Sequence, residues 1–396
     1  MIDLDDRADP GHARSRHLVI ASLGIAQTLA WGSSYYLPAI LADPIAADLK
    51  VARELVLAAF SMALLIAAFV GPWVGSAIDR RGGRNVLALS NLVLAAGLAL
   101  LAAANGPAGL FGAWAILGVG MALGLYDAGF ATLTSLYGRH ARGPITGITL
   151  FAGFASTVSW PLTAALNDAL GWRETCLVWA ALNLVIALPL NRLLPRATAP
   201  VAHASDNAPA ATPWKPYREM LLLAFVFAAA WFVTGAMAAH LPRLLQLAGA
   251  TPVEAVATAA LMGPAQVAAR LAELMIMRRI HPLVSARIAT ALHPLGAGAL
   301  LLLGAAGAPL FVILYGAGNG LLTIARGTVP LAVFGPHGYG RRTGLLSAPA
   351  RAAQALAPLG FGFLIDRMGM SVVFVSAGLC VAALGALMCL RADRVT

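Results

Sequence analysis

The sequence predicts an all-α membrane protein, with twelve transmembrane helices in two pseudo-symmetric six-helix bundles. Three observations predict it. The first is composition: 60% of the 396 residues are hydrophobic and 11% are charged, against about 25% charged in soluble domains. The second is the length of the apolar runs, which suit helices of about 20 residues and leave room for roughly a dozen crossings. These runs are unbroken and do not alternate, which excludes a β-barrel. The third is an internal repeat. Pro161-Leu162 precedes Asp168 and Gly171, and Pro358-Leu359 precedes Asp366 and Gly369, at offsets of 197 (358 − 161) and 198 (369 − 171). Gly147 and Gly344 share the first offset, and the turn Tyr36-Leu37-Pro38 is echoed by His240-Leu241-Pro242.

In chain order, residues 1–17 form an N-terminal tail mixing Asp3, Asp5 and Asp6 with Arg7, Arg14 and Arg16. They lack a convincing signal-peptide pattern, so the first apolar run reads as a retained span. The first bundle, 18–194, holds spans at Leu18–Leu41, Glu54–Ile78, Val86–Ala104, Leu110–Tyr137, Pro144–Leu166 and Arg173–Leu194. A linker follows at 195–218, with Pro195, Pro200, Pro209, Pro213 and Pro216, too proline-rich for a span. The second bundle, 219–390, holds Glu219–Leu245, Val253–Met277, Ile288–Ala305, Pro309–Phe334, Arg342–Ile365 and Ser371–Leu390. A short tail, 391–396, closes the chain.

The net charge of +10 would suggest nucleic acid in a soluble protein. Here it reads as topology. An even number of spans puts both termini on one side, together with Arg80, Arg81, Arg84, Arg139, Arg142, Arg278, Arg279, Arg341 and Arg342. Only Lys50, Arg53, Arg173, Arg243 and Arg367 fall on the other. The bias places both termini in the cytoplasm of a multi-pass protein of the inner (plasma) membrane. Cys176, Cys380 and Cys389 lie in apolar runs without metal-ligand spacing. No metal or other cofactor is expected, and no ATP-binding motif is present.

The stretch Gly75–Arg84, GSAIDRRGGR, joins two apolar runs. Its charges cannot lie in hydrocarbon, so it is a tight turn at a membrane face. Gly75, Asp79, Arg80, Gly82 and Arg84 resemble the loop signature of the major facilitator superfamily (MFS): Gly, three residues, Asp, a basic residue, any residue, Gly, then basic residues. Gly83 departs from it, where the family usually has another Lys or Arg. The resemblance covers nearly the whole chain through the two-bundle layout and the repeat. It implies a secondary transporter working by alternating access, with its substrate site between the halves near the midplane. It further implies a monomer, and that Asp79 faces the start of span eleven in the outward-facing state, with Arg80 and Arg84 tying it to neighbouring helices. Asp79 would gain about 0.3–1 kcal/mol there from unpaired backbone N–H groups. Gly171-Trp172-Arg173 after Pro161-Leu162, and Arg270 in span eight, resemble the monocarboxylate and oxalate/formate porters of that superfamily. Those begin span one with an acid before a Gly and Trp signature; this chain has Leu29-Ala30-Trp31-Gly32 without the acid.

An ionised side chain in a bilayer costs roughly 3 kcal/mol or more, so intramembrane charges are site candidates. Arg351, Arg326 and Asp127 lie about 12–15 Å from the cytoplasmic ends of spans eleven, ten and four, and Arg270 about 10 Å from that of span eight. The repeat places Asp127 and Arg326 at similar depth in equivalent helices of opposite halves. They could form an interdomain pair that breaks as the halves rock, or Asp127 could take a proton while Arg326 holds an anion, or the pair could be permanent and structural. Arg270 has Glu273 on the same helix face, which allows either substrate binding or a self-neutralised pair. In span one, Gln27, Trp31, Ser34, Tyr35 and Pro38 form one stripe, the N-half wall of a cavity that Tyr126 would join. Asn319 in span ten fits either the cavity or helix packing.

The combined expectation is a secondary active transporter for a small organic anion, a mono- or dicarboxylate, coupled to protons or working by exchange. The alternative is efflux of a drug-like or metalloid (arsenical) compound. The partners are then a small, anionic substrate, the lipid bilayer and protons, not nucleic acid. An enzyme is not expected, since the spans hold no His-Glu-x-x-His, no Gly-x-Ser-x-Gly and no paired carboxylates.

Overall fold

The computed structural model describes residues 10–196, 215–276 and 280–390. Most of the predicted linker, the C-terminal tail, the first nine residues and Met277 at the end of span eight lie outside the described residues. The first half comprises α1 (Pro10–Gly32), α2 (Pro38–Leu49), α3 (Arg53–Arg81), α4 (Arg84–Ala102), α5 (Pro107–Gly124), α6 (Tyr126–Tyr137), α7 (Arg142–Gly153), α8 (Ala155–Leu170), α9 (Trp172–Leu182) and α10 (Leu188–Leu193). The second comprises α11 (Lys215–Leu247), α12 (Pro252–Ala259), α13 (Met262–Met275), α14 (Pro282–Leu303), α15 (Ala308–Phe334), α16 (Tyr339–Met368) and α17 (Val372–Met388). The described residues contain no strand.

Eight helical stretches among the described residues are long and apolar enough to cross a bilayer. Pro107–Leu170, Pro282–Phe334 and Tyr339–Met388 hold 64, 53 and 50 residues. At about 1.5 Å per residue each can cross a core of about 30 Å twice. Each reverses at a glycine in the left-handed region: Gly138, Gly304 and Gly369, with φ of 53°, 58° and 56°. A side chain there would be strained.

Several predicted spans are broken helices. The first begins at Pro10 rather than Leu18 and stops at Gly32. The hydroxyl of Ser34 donates to the Ala30 carbonyl at 2.6 Å, competing with the helical ladder, and Pro38 opens α2. The fourth breaks at Leu125, which is extended (φ −83°, ψ −172°). The fifth breaks at Phe154 and the eighth between α12 and α13. The break at Leu125 matters most, because it puts Asp127 in the first turn of α6.

One apolar cluster fills the first half, around the fully buried Trp114, Phe130 and Trp179. Three fill the second, around Phe311 and Phe361, around Leu223 and Val329, and around Ala289 and Leu321. The halves meet through α3, α6 and α7 on one side and α13, α15 and α16 on the other. α3 and α16 cross backbone to backbone at two glycine pairs. A Cβ on Gly344 would lie 2.7 Å from the Pro72 Cα, and one on Gly340 would lie 2.5 Å from the Gly75 carbonyl oxygen. Small residues are what permit such an approach. The crossing sits at the end of the bundle that carries Arg80, Arg81 and Arg84, termed here the basic end.

Candidate substrate site

The helix break at Leu125 exposes the N-terminus of α6, whose unpaired N–H groups favour an anion. Asp127 takes that position. Its carboxylate accepts from Arg326 Nη2 of α15 at 2.6 Å and from Arg351 Nη2 of α16 at 2.8 Å. The three side chains are only 13%, 5% and 9% exposed. Arg326 Nη2 also donates to Ser347 Oγ at 2.8 Å, and its guanidinium lies 4.6 Å from the ring centroid of Trp231, a cation–π contact. Arg326 Nε is buried without a hydrogen-bond partner. Two guanidiniums thus share one carboxylate, across the boundary between the halves.

A small cavity adjoins this cluster. Trp31, Tyr35, Leu64, Met121 and Leu125 form its wall on the first half; Trp231, Arg326, Arg351 and Gln354 form the other. Gln354 Nε2 donates to the Tyr35 hydroxyl at 2.7 Å, bridging the two walls. Trp31 packs edge-on against Tyr35, with centroids 5.1 Å apart, and its Nε1 is buried without a partner.

Four of the sequence-predicted residues therefore line one cavity: Trp31, Tyr35, Arg326 and Arg351. The others sit elsewhere. Gln27 donates to the Gly124 carbonyl at 2.6 Å, satisfying an acceptor freed where α5 ends. Tyr126 stacks on Phe130 and packs behind Trp31 without lining the cavity. Asn319 lines a second cavity inside the second half. Arg270 does not pair with Glu273. Arg142 of α7 takes that carboxylate at 2.9 Å, and Ser285 donates to it at 2.6 Å. The reach of Arg142 across the boundary overrides the same-helix spacing. Arg270 is left 5% exposed, facing Gly153 of α7, with Nε and Nη1 buried without hydrogen-bond partners.

Two bridges join the halves at the basic end. Arg142–Glu273 is one, reinforced by Arg142 Nη1 donating to the Ile280 carbonyl at 2.5 Å. The other is Asp79, which accepts from the backbone N–H groups of Gly340 and Arg341, both at 2.8 Å. These are first-turn donors of α16. Among the described residues neither Arg80 nor Arg84 pairs with Asp79; Arg80 is exposed, and the helix terminus alone satisfies the carboxylate. Asp79→Asn is expected to weaken the contact by about 1–3 kcal/mol, since hydrogen bonds to a charged group are lost. In a Cys389→Ser background, a cysteine placed at Ser76 should then label several-fold faster; an unchanged rate would contradict a bridging role.

Sequence reasoning missed Trp231, Ser347, Gln354 and the Arg142–Glu273 bridge. Ser347, Arg351 and Gln354 follow one another at spacings of four and three, a one-face pattern legible without coordinates. Trp231 carries no such signal in its apolar run, and the Arg142–Glu273 pair joins positions 131 apart.

Residues 23–315 match the family model described as Major Facilitator Superfamily. A curated relative, an uncharacterized 38 kDa protein in the 23S RNA operon of Thermoproteus tenax, is 28% identical over 346 residues, 85% of this chain and 84% of that protein. The fold is similar to that of the human organic anion transporter MFSD10 (TM-score 0.68, 17% identity, 96% of this chain and 100% of that one). It is likewise similar to that of a variant of the Escherichia coli fucose:proton symporter FucP (TM-score 0.69, 15% identity, 95% and 99%).

Proposed function

The chain belongs to the major facilitator superfamily, whose members are multi-pass membrane transporters, and from that premise we propose that it moves a small organic anion, a mono- or dicarboxylate, by alternating access. The observation that carries this is a charge imbalance. Arg270, Arg326 and Arg351 are buried where the halves meet, and Asp127 is the one carboxylate hydrogen-bonded to any of them among the described residues. Buried charge without a counter-charge is costly. A carboxylate ligand would restore balance.

Asp127 supplies a coupling step on this reading. A substrate carboxylate that takes Arg351 and Arg326 removes the partners that keep Asp127 ionised. Asp127 then takes a proton, and ligand and proton leave together. Without proton uptake the same exchange of counter-ions supports antiport. The basic end is cytoplasmic in this scheme, with both termini on the cytoplasmic side of the inner membrane, twelve spans in two bundles (18–194 and 219–390) and a monomeric protein. The Asp79 and Arg142–Glu273 bridges close the cytoplasmic side, and the substrate enters from outside.

The aromatic walls formed by Trp31, Tyr35 and Trp231 support a second reading, efflux of a drug-like or metalloid compound. Flux into proteoliposomes separates the two. Carboxylate uptake is expected to fall about 100-fold in Arg351→Gln, since truncating one partner of a buried charge contact costs about 2–5 kcal/mol. An imposed proton gradient should accelerate uptake in the wild type if Asp127 carries the proton, and leave it unchanged if the protein exchanges anions. Transport of hydrophobic cations that is indifferent to Arg351→Gln would overturn the anion reading.

A further inference from the structure

A second cavity, with room for about one water molecule, lies within the second half. Its polar lining consists of Thr234, Thr290, His293, Tyr315 and Asn319. It shares no lining residue with the first cavity but lies along two of the same helices. On α11, Thr234 follows Trp231 by one turn, about 4.5 Å. On α15, Tyr315, Asn319, Leu322 and Arg326 form one stripe at spacings of four, three and four. Asn319 lies seven residues from Arg326, about 10 Å along the axis, and the long arginine side chain shortens that distance.

The polar groups here are buried and incompletely used. His293 is 4% exposed, with Nε2 3.0 Å from Ser376 Oγ. Ser376 donates its own proton to the Val373 carbonyl at 3.0 Å, so it accepts from His293 Nε2–H. Neutral His293 is then a lone-pair acceptor at Nδ1, and Nδ1 is buried without a partner. Tyr315 is 3% exposed; its hydroxyl lies near Thr234 yet closes no hydrogen bond. Asn319 Oδ1 accepts from Thr234 at 3.0 Å, which turns its NH₂ group into a free donor. An acceptor, a hydroxyl and an amide donor therefore converge on one space. Native interiors rarely leave such groups unmet.

We propose that this cavity is a hydroxyl-binding subsite of the transported anion, and that the substrate is a hydroxylated carboxylate. This rests on the anion reading above. The carboxylate sits on Arg326 and Arg351, and the hydroxyl-bearing carbons extend past Trp231 toward His293, Tyr315 and Asn319. One substrate hydroxyl donates to His293 Nδ1 and accepts from Tyr315 and Asn319. An alkyl carboxylate of the same length leaves all three unpaired, and sites built for hydroxyls reject analogues lacking them by large factors. The aliphatic positions on the lining, Val233 and Leu322, suit the C–H faces of the same chain.

Three six-carbon probes test this: gluconate, hexanoate and glucitol, in equilibrium binding to purified protein. The expected result is gluconate at least about tenfold tighter than hexanoate. Asn319→Ala and, separately, His293→Phe should bring gluconate down to the hexanoate level without weakening hexanoate. Two variants guard against a folding defect in one, and unchanged hexanoate binding reports that each has folded. Equal affinity for gluconate and hexanoate, or gluconate binding that survives both substitutions, overturns the subsite and leaves the anion reading standing. Glucitol binding as tight as gluconate, unaffected by Arg351→Gln, overturns the anion reading. Absence of binding by any probe overturns both.

Discussion

Asp127→Asn is expected to yield a protein that binds anions, does not complete a coupled cycle, and depends on anions for stability. In the wild type one carboxylate serves two buried guanidiniums at 2.6 and 2.8 Å. Removing one partner of a buried ion pair costs about 3–5 kcal/mol because the remaining charge is stranded. Here two are stranded. A small carboxylate added to the buffer supplies the missing charge and stabilises the folded state by mass action. The melting temperature of the variant should therefore fall in low-anion buffer and recover with acetate, by a larger increment than in the wild type. Transport should fall by about 100-fold or more, because no group remains to exchange places with the substrate. A variant that melts like the wild type in both buffers and still transports would show that Asp127 is a bystander.

The second large effect is expected from Gly75→Val. The Gly340 carbonyl occupies the place a Cβ on Gly75 would take, and Gly71 meets Gly344 one turn away in the same crossing. The obstacle is backbone on both sides, so no rotamer change relieves it. α3 and α16 must part, which breaks the Asp79 hydrogen bonds to Gly340 and Arg341. Overpacking costs about 1–3 kcal/mol, enough to shift a two-state equilibrium by roughly 5- to 150-fold. The expected outcome is a basic end held open. A cysteine at Ser76 should label rapidly with or without substrate, and transport should fall by a similar factor. Gly112→Val is the control, since a Cβ there meets nothing within 4 Å. Slow labelling and normal transport in Gly75→Val would contradict the bridge.

The sequence carried the fold through a few physical signals. Charged turns such as Gly75–Arg84 divide the apolar runs, and paired prolines at 161 and 358 mark the repeat. Arg326, Arg351 and Asp127 stood out because charge in a bilayer is costly. A contact between Asp127 and Arg326 was suggested by equivalent depth in the two halves, the one from Arg351 was not, and which faces they occupy depends on how the bundles dock. Gln27 was assigned to the cavity on stripe spacing alone. The break at Leu125 frees the Gly124 carbonyl, and Gln27 turns to it. No periodicity announces that break. The i, i+3 spacing of Arg270 and Glu273 allowed either substrate binding or a self-neutralised pair, and Arg142 of the other half takes Glu273 instead. Local spacing predicts neighbours on one helix, and it is silent about a competing partner more than a hundred residues away.

Surplus positive charge at the Arg326–Arg351–Asp127 cluster is what would recruit a small organic anion, and everything proposed for transport depends on it. The most direct measurement is the melting temperature of the purified wild type and Arg351→Gln across small carboxylates, inorganic anions and hydrophobic cations. A ligand that binds only the folded state raises that temperature, more so the tighter it binds. The expected result is a rise with carboxylates in the wild type that vanishes in Arg351→Gln. A rise with hydrophobic cations instead, unchanged by the substitution, would contradict it.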